Sequence, residues 1–174
     1  DYSSGVMYAI TDDTQISMVD TSNGEMYPVL TQEDQVLVAL TVDEKGTVYV
    51  IGRKAGSTQA DASLYTADLT AGTLTKIGDT GQKAVMEQSM TYDFENGYIY
   101  WAQAWAKAGE GRELNLCIVN PKNGYASVIG KIGESGSEVS ALYCDSPDEP
   151  QAPYVELEDI HIGQGAETDL IVGG

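Results

Sequence analysis

The chain has 174 residues, 27 acidic against 9 basic, for a net charge of −18. A surface this acidic repels a polyphosphate backbone, which excludes nucleic acid as a partner. No stretch of about 18 apolar residues is present to cross a bilayer, no signal-peptide pattern occurs, and the length suits one domain with its own core.

In chain order, Gly5-Val6-Met7-Tyr8 opens an extended segment, and Asp12-Asp13-Thr14 forms an acidic loop. Ile16 to Asp20 then reads as a strand that closes on Asp20-Thr21-Ser22-Asn23-Gly24 and resumes from Met26 to Leu30. Leu37 to Asp43 passes through Glu44-Lys45-Gly46 into Thr47 to Gly52. Leu64 to Asp68 then turns at Gly72 and continues from Leu74 to Gly78. Gln88 to Asp93 turns through Gly97 into Tyr98 to Trp101, and Leu116 to Asn120 turns at Gly124 into Ala126 to Gly130. Val139 to Asp145 begins one more strand.

The turns recur. Asp20 to Gly24, Asp68 to Gly72 and Asn120 to Gly124 share an Asp or Asn followed four residues later by Gly, at steps of 48 and 52 residues. Glycine admits the positive φ that such a turn needs, and the Asp or Asn side chain accepts from its own following backbone. A second hairpin stands upstream of the later two, with Tyr49 and Tyr100 each three residues past the turn glycine. Two hairpins per repeat of about 50 residues describe a four-stranded blade, so the expected fold is all-β, a β-propeller. About three blades are present, starting within the second strand of the first and ending on an inner strand. Closed propellers typically hold four to eight blades, which implies a partial propeller or one completed by another copy.

Residues 1–145 are thus read as blades and 146–153, Ser-Pro-Asp-Glu-Pro-Gln-Ala-Pro, as a linker. Residues 154–174 alternate polar and apolar like the start of an immunoglobulin-like module, or form an extended tail. Cys117 and Cys144 fall on strands of different blades and read as free thiols. Acidity on this scale suits solubility; no DxDxDG loop with a later Glu occurs, so no metal site is assigned.

The DxxxG turns and the post-turn Tyr resemble bacterial propeller repeats of the loose YVTN and quinoprotein-like type, over residues 5 to 145. That resemblance implies a cell-surface or periplasmic, extracytoplasmic protein, often followed by immunoglobulin-like modules. The repeat of quinoprotein dehydrogenases continues to a Trp shortly after the Gly. Here Glu25-Met26-Tyr27, Thr73-Leu74-Thr75 and Tyr125-Ala126-Ser127 stand in that place, so no quinone and no other cofactor is carried over.

Catalysis has little support in the sequence. The single His161 lies outside the blades, and Asp61, Glu87, Glu110 and Glu138 are loop carboxylates of the kind that are mostly solvated, so no catalytic residue is assigned and the chain reads as a non-enzyme. Function is sought in the loops joining the second and third strands, Arg53 through Ala62 and Ala104 through Glu113, because rigid scaffolds bind through their loops. Arg53, Lys54, Lys107 and Arg112 bring positive charge to that rim of an acidic molecule, and Trp105 offers an indole for a sugar face or a protein anchor. Trp101 reads as packing between blades. The expected role is a non-catalytic binding or interaction module for a glycan or surface protein. The alternatives are an assembly subunit that completes a propeller by self-association as a homo-oligomer, and a hydrolase acting on a polysaccharide.

Overall fold

The computed structural model describes residues 1, 4–85, 88–107, 109 and 111–144. Eleven strands and no helix are found among them: β1 (Met7–Thr11), β2 (Gln15–Val19), β3 (Met26–Thr31), β4 (Gln35–Val42), β5 (Val48–Lys54), β6 (Ala60–Asp68), β7 (Thr73–Ala84), β8 (Ser89–Asp93), β9 (Tyr98–Lys107), β10 (Gly111–Val119) and β11 (Ala126–Lys131). They form three antiparallel sheets with strands in sequential order: three-stranded β1-β2-β3, then four-stranded β4-β5-β6-β7 and β8-β9-β10-β11. These are propeller blades, and no described helix is long and apolar enough to cross a membrane.

The repeating turns form by the chemistry expected of them. The Gly24 amide donates to the Asp20 carbonyl at 2.7 Å and the Gly124 amide to the Asn120 carbonyl at 2.8 Å. The side-chain oxygen of Asp20 accepts the Ser22 amide at 2.8 Å, that of Asp68 the Thr70 amide at 3.0 Å and that of Asn120 the Lys122 amide at 2.9 Å. Gly24, Gly72 and Gly124 hold φ of 79°, 67° and 80°, a region that a Cβ makes costly. The hydrogen bonds from Ser22 hold the Asp20 carboxyl below its ordinary pKa, as Asn96 does for Asp93 in the β8-β9 turn.

Each blade also carries a bulge at the same place in its outer strand, where Val29, Ile77 and Ile129 are the extra residues opposite Ile16/Ser17, Leu64/Tyr65 and Leu116/Cys117 of the strand before it. An extra residue there bends the outer strand and increases the local twist, which a blade needs to nest on its neighbour. The register across the bulge sets Leu30, Gly78 and Gly130 opposite Ile16, Leu64 and Leu116.

The core lies between blades. Ile16, Leu30, Leu37, Val48 and Val50 pack the first sheet on the second. Val38, Ile51, Leu64, Met90, Ile99, Trp101, Cys117 and Val119 join the second to the third. Trp101 is completely buried, as packing between blades requires. The post-turn Tyr49 stacks on Tyr92, with ring centres 6.3 Å apart, and Tyr92 meets Phe94 edge-on at 5.3 Å. Such aromatic pairs add about 0.5–1.5 kcal/mol beyond the area they bury.

Burial has a titration consequence. It pushes the Cys117 thiol from an ordinary 9.0 up to about 11. Burial, reinforced by the charges of Glu44 and Asp43, pushes the Tyr92 hydroxyl from 10.0 up to about 12. Both groups keep their protons in the folded chain at pH values where the unfolded chain releases them. Their contribution to stability is therefore complete below pH 9 and is lost as the pH rises through about 11 to about 12. Thermal melts are expected to shift downward across that window, and Cys117 is expected to resist a thiol reagent at pH 8 until denaturant is added.

Two expectations change. The loop from Arg53 shrinks to 55–59, between β5 and β6, which pair out to Arg53↔Ala62, and the one from Ala104 is largely strand, with pairing out to Gly111↔Lys107. Gly109 and Gly111, at φ 79° and 83°, confine the second turn to its tip. Val139 to Cys144 forms no regular strand, although it runs beside β8, with the Leu142 amide donating to Ser89 Oγ at 2.7 Å. Asp145, the linker at 146–153 and the module or tail at 154–174 lie outside the described residues.

Candidate functional site

The expected rim residues do not converge on one point. Arg53 is buried, with Nε donating to the Val85 carbonyl at 2.5 Å and Nη1 to the Ser57 carbonyl at 2.6 Å. Its guanidinium fastens the β5-β6 turn to the chain entering the third blade. Arg53 therefore does not project from the rim as expected: it is buried, and the donors described reach backbone carbonyls of its own turn and of the next blade's entry. Lys54, the next residue, ends β5 on the exposed side.

Alternation on the β9-β10 ladder separates the remaining three. Trp105 lies opposite Glu113 on one face, while Arg112 lies opposite Ala106 on the other. Trp105 is half-buried. Lys107 Nζ stands 3.9 Å from Glu113 Oε2, on the face of Trp105. The Ala106 amide donates to Gln59 Oε1 at 3.0 Å, which ties this hairpin to the one beside it.

On the other face Arg112 borders a pocket of about 310 Å3. Ala102, Ala104, Leu114 and Val139 make its apolar floor, and Gln88, Arg112, Ser137, Glu138 and Ser140 bring polar groups around it. Arg112 Nη1 pairs with Glu138 Oε1, whose side chain is 70% exposed while that of Arg112 is 33% exposed. Gln88 is fixed on both sides of its amide: Nε2 donates to the Ala104 carbonyl at 2.8 Å and Oε1 accepts the Ala104 amide at 2.9 Å. A preset polar wall, an apolar floor and one guanidinium whose carboxylate partner is mostly in water can hold a small polar molecule that has an apolar face. Glu138 was singled out only as a loop carboxylate, and Gln88, Ser137 and Ser140 not as site residues at all, because they come from either side of β9 and β10.

Of the loop carboxylates, Asp61 is exposed on β6 opposite Lys83 and Glu138 is the partner of Arg112. Glu87 and Glu110 lie outside the described residues.

No family model matches the chain. No curated protein matches it either. Among solved structures, it is similar to an oligogalacturonate lyase in complex with manganese, with a TM-score of 0.48 and 14% identity, over 74% of this chain and 32% of that one. A periplasmic gluconolactonase of Pseudomonas aeruginosa gives 0.45 and 16%, over 74% and 37%. A nidogen/laminin complex gives 0.37 and 13%, over 72% and 61%. The chain thus spans about a third of the length of the lyase and of the gluconolactonase. At these identities the likeness concerns fold alone. The expectation that the chain is a non-enzyme is withdrawn: the similar structures include a lyase and a lactonase, and the fold by itself says neither that this chain catalyses nor that it does not.

Proposed function

We propose that this chain is an extracytoplasmic binding module that takes a glycan bearing a carboxylate or another anionic group at the pocket beside Arg112. The observation that carries this reading is the Arg112–Glu138 pair at the mouth of a pocket floored by Ala102, Ala104, Leu114 and Val139. A sugar ring has the matching duality, an apolar face for the floor and hydroxyls for Gln88 and Ser140. Its anionic group would take the place of Glu138 on Arg112 through charge-assisted hydrogen bonds. The extracytoplasmic assignment follows the resemblance of the repeats to those of cell-surface and periplasmic propellers.

A glycan array carrying neutral and acidic oligosaccharides tests the proposal, with each bound glycan also followed for turnover. Arg112→Ala is expected to lower affinity for acidic glycans about 10-fold or more, as loss of a charge-assisted pair costs about 1.5–3 kcal/mol. Glu138→Gln is expected to raise affinity several-fold, because it removes the carboxylate that competes for Arg112. Equal binding by wild type, Arg112→Ala and Glu138→Gln would sink the assignment. Loss of binding in Trp105→Ala with Arg112→Ala unaffected would move the site to the opposite face of the hairpin.

A further inference from the structure

The third blade carries a pocket that its scaffold does not require. At the end of the sheet where its two hairpins turn, Tyr98, Ile118, Asn120, Asn123, Tyr125 and Ser127 line a hollow of about 170 Å3. Tyr98 is 40% exposed and Tyr125 59%. The repeat supplies its own comparison, because the other two blades build the same turns from different residues. Val6 and Thr47 stand at the place of Tyr98, Glu25 and Thr73 at that of Tyr125, and Asp20 and Asp68 at that of Asn120. Two tyrosines and an amide thus replace residues that make the turns equally well.

The amides have capacity that the turn leaves unused. Asn120 Oδ1 accepts the Lys122 amide at 2.9 Å, and Asn123 Oδ1 accepts the Tyr125 amide at 3.0 Å. An aspartate does the first of these jobs in the other blades, at Asp20 and Asp68. What asparagine adds is Nδ2, which can donate two hydrogen bonds. Among the described residues no partner is found for either Nδ2 group, or for the hydroxyls of Tyr98, Tyr125 and Ser127.

The site is also held in shape from outside. The turn that carries Asn120, Asn123 and Tyr125 is seated on the second blade, where a Cβ on Gly124 would meet the Gly78 carbonyl oxygen at 2.7 Å. A Cβ on Gly81 of β7 would lie 3.5 Å from the Tyr125 ring, so one edge of that ring borders the neighbouring blade while most of it stays in water. Ring and amides are in place before a ligand arrives, which lowers the ordering cost of binding.

We infer that this pocket is a second glycan site, separate from the one beside Arg112, and that it takes an uncharged sugar ring. The tyrosine rings can cover the apolar face of the sugar, the amide N–H groups donate to its hydroxyl oxygens, and the Tyr and Ser hydroxyls donate or accept in return. Among the described residues no charged side chain lines the pocket, which matches a neutral ligand and not the acidic one proposed at Arg112. Tyr98 and Ala104 lie on the same face of β9, about 20 Å apart by strand rise, so the two pockets stand at opposite ends of one sheet face.

The full chain is applied to an array of uncharged cello-, malto-, xylo- and chito-oligosaccharides, and the sugar held best is titrated by calorimetry. Uncharged probes keep the outcome independent of the Arg112 proposal. At least one of these sugars is expected to bind. Tyr125→Ala is expected to weaken it about 10-fold or more. Asn120→Asp, which keeps the turn as Asp20 and Asp68 do, is expected to weaken it about 5-fold with an unchanged thermal melt. Tyr125→Phe, which keeps the ring, is expected to stay within about 3-fold of wild type. Binding of no uncharged sugar, or full affinity in either Tyr125→Ala or Asn120→Asp, would overturn the inference.

Discussion

Gly78→Ala is expected to unfold the chain or lower its stability by about 3 kcal/mol or more, the size of effect seen when a native close approach becomes impossible. The reason is local and steric. The added methyl would overlap the Asn123 carbonyl, a backbone group held in the β10-β11 turn by Asn120 and Gly124, so neither side can yield by rotating a side chain. Gly124→Ala meets the same contact from the other side and also forces a Cβ into a φ of 80°. Gly130→Ala supplies the comparison, since it occupies the same repeat position with an open surround. Urea denaturation of the three variants should show two severe losses and one near-neutral change. A Gly78→Ala protein as stable as wild type would show that the blades do not dock as described.

Arg53→Ala should cost about 2–4 kcal/mol, because it empties a buried volume and leaves the Val85 and Ser57 carbonyls short of a donor. Arg53→Lys should recover little. One ammonium on a flexible stem does not reproduce a planar fork that reaches two carbonyls from different segments. Thermal melts of both variants, read beside glycan binding, distinguish this role from the rim role first expected of Arg53. A variant with normal stability and lost binding would restore the rim reading. Loss of stability in both variants, with binding intact in the cold, is the expected result.

Arg53 and Arg112 show why the sequence is an uneven guide here. In the sequence both are cations in polar stretches between two strands, and the same argument sends both to the rim. Whether an arginine points into solvent or back into the molecule depends on which carbonyls lie near it. For Arg53 one of these, Val85, is 32 residues away along the chain. Lys107 and Arg112 were likewise grouped by proximity in sequence, and pairing of β9 with β10 puts them on opposite faces. Glycines at 109 and 111 made the segment look like a loop, because glycine marks a tight turn and a flexible one equally. Ladder pairing up to Lys107 and from Gly111 decides in favour of the tight turn. Trp101, by contrast, sits mid-strand in an apolar run, and such a residue has few destinations but the core.

The sequence alone determined the blade. An Asp or Asn accepting from its own backbone and a glycine at positive φ are interactions within five residues, so they are written wherever the turn is, and their spacing counts the repeats. It also determined which residues are apolar enough to be buried between sheets. The tertiary structure decided how blades meet and where a ligand fits. Gly78 against Asn123 and Gly124, Arg53 against Val85, and Gln88 beside Arg112 and Glu138 are contacts between segments that no local pattern couples. They depend on how one sheet twists and nests on the next, and only the packed sheets fix that geometry.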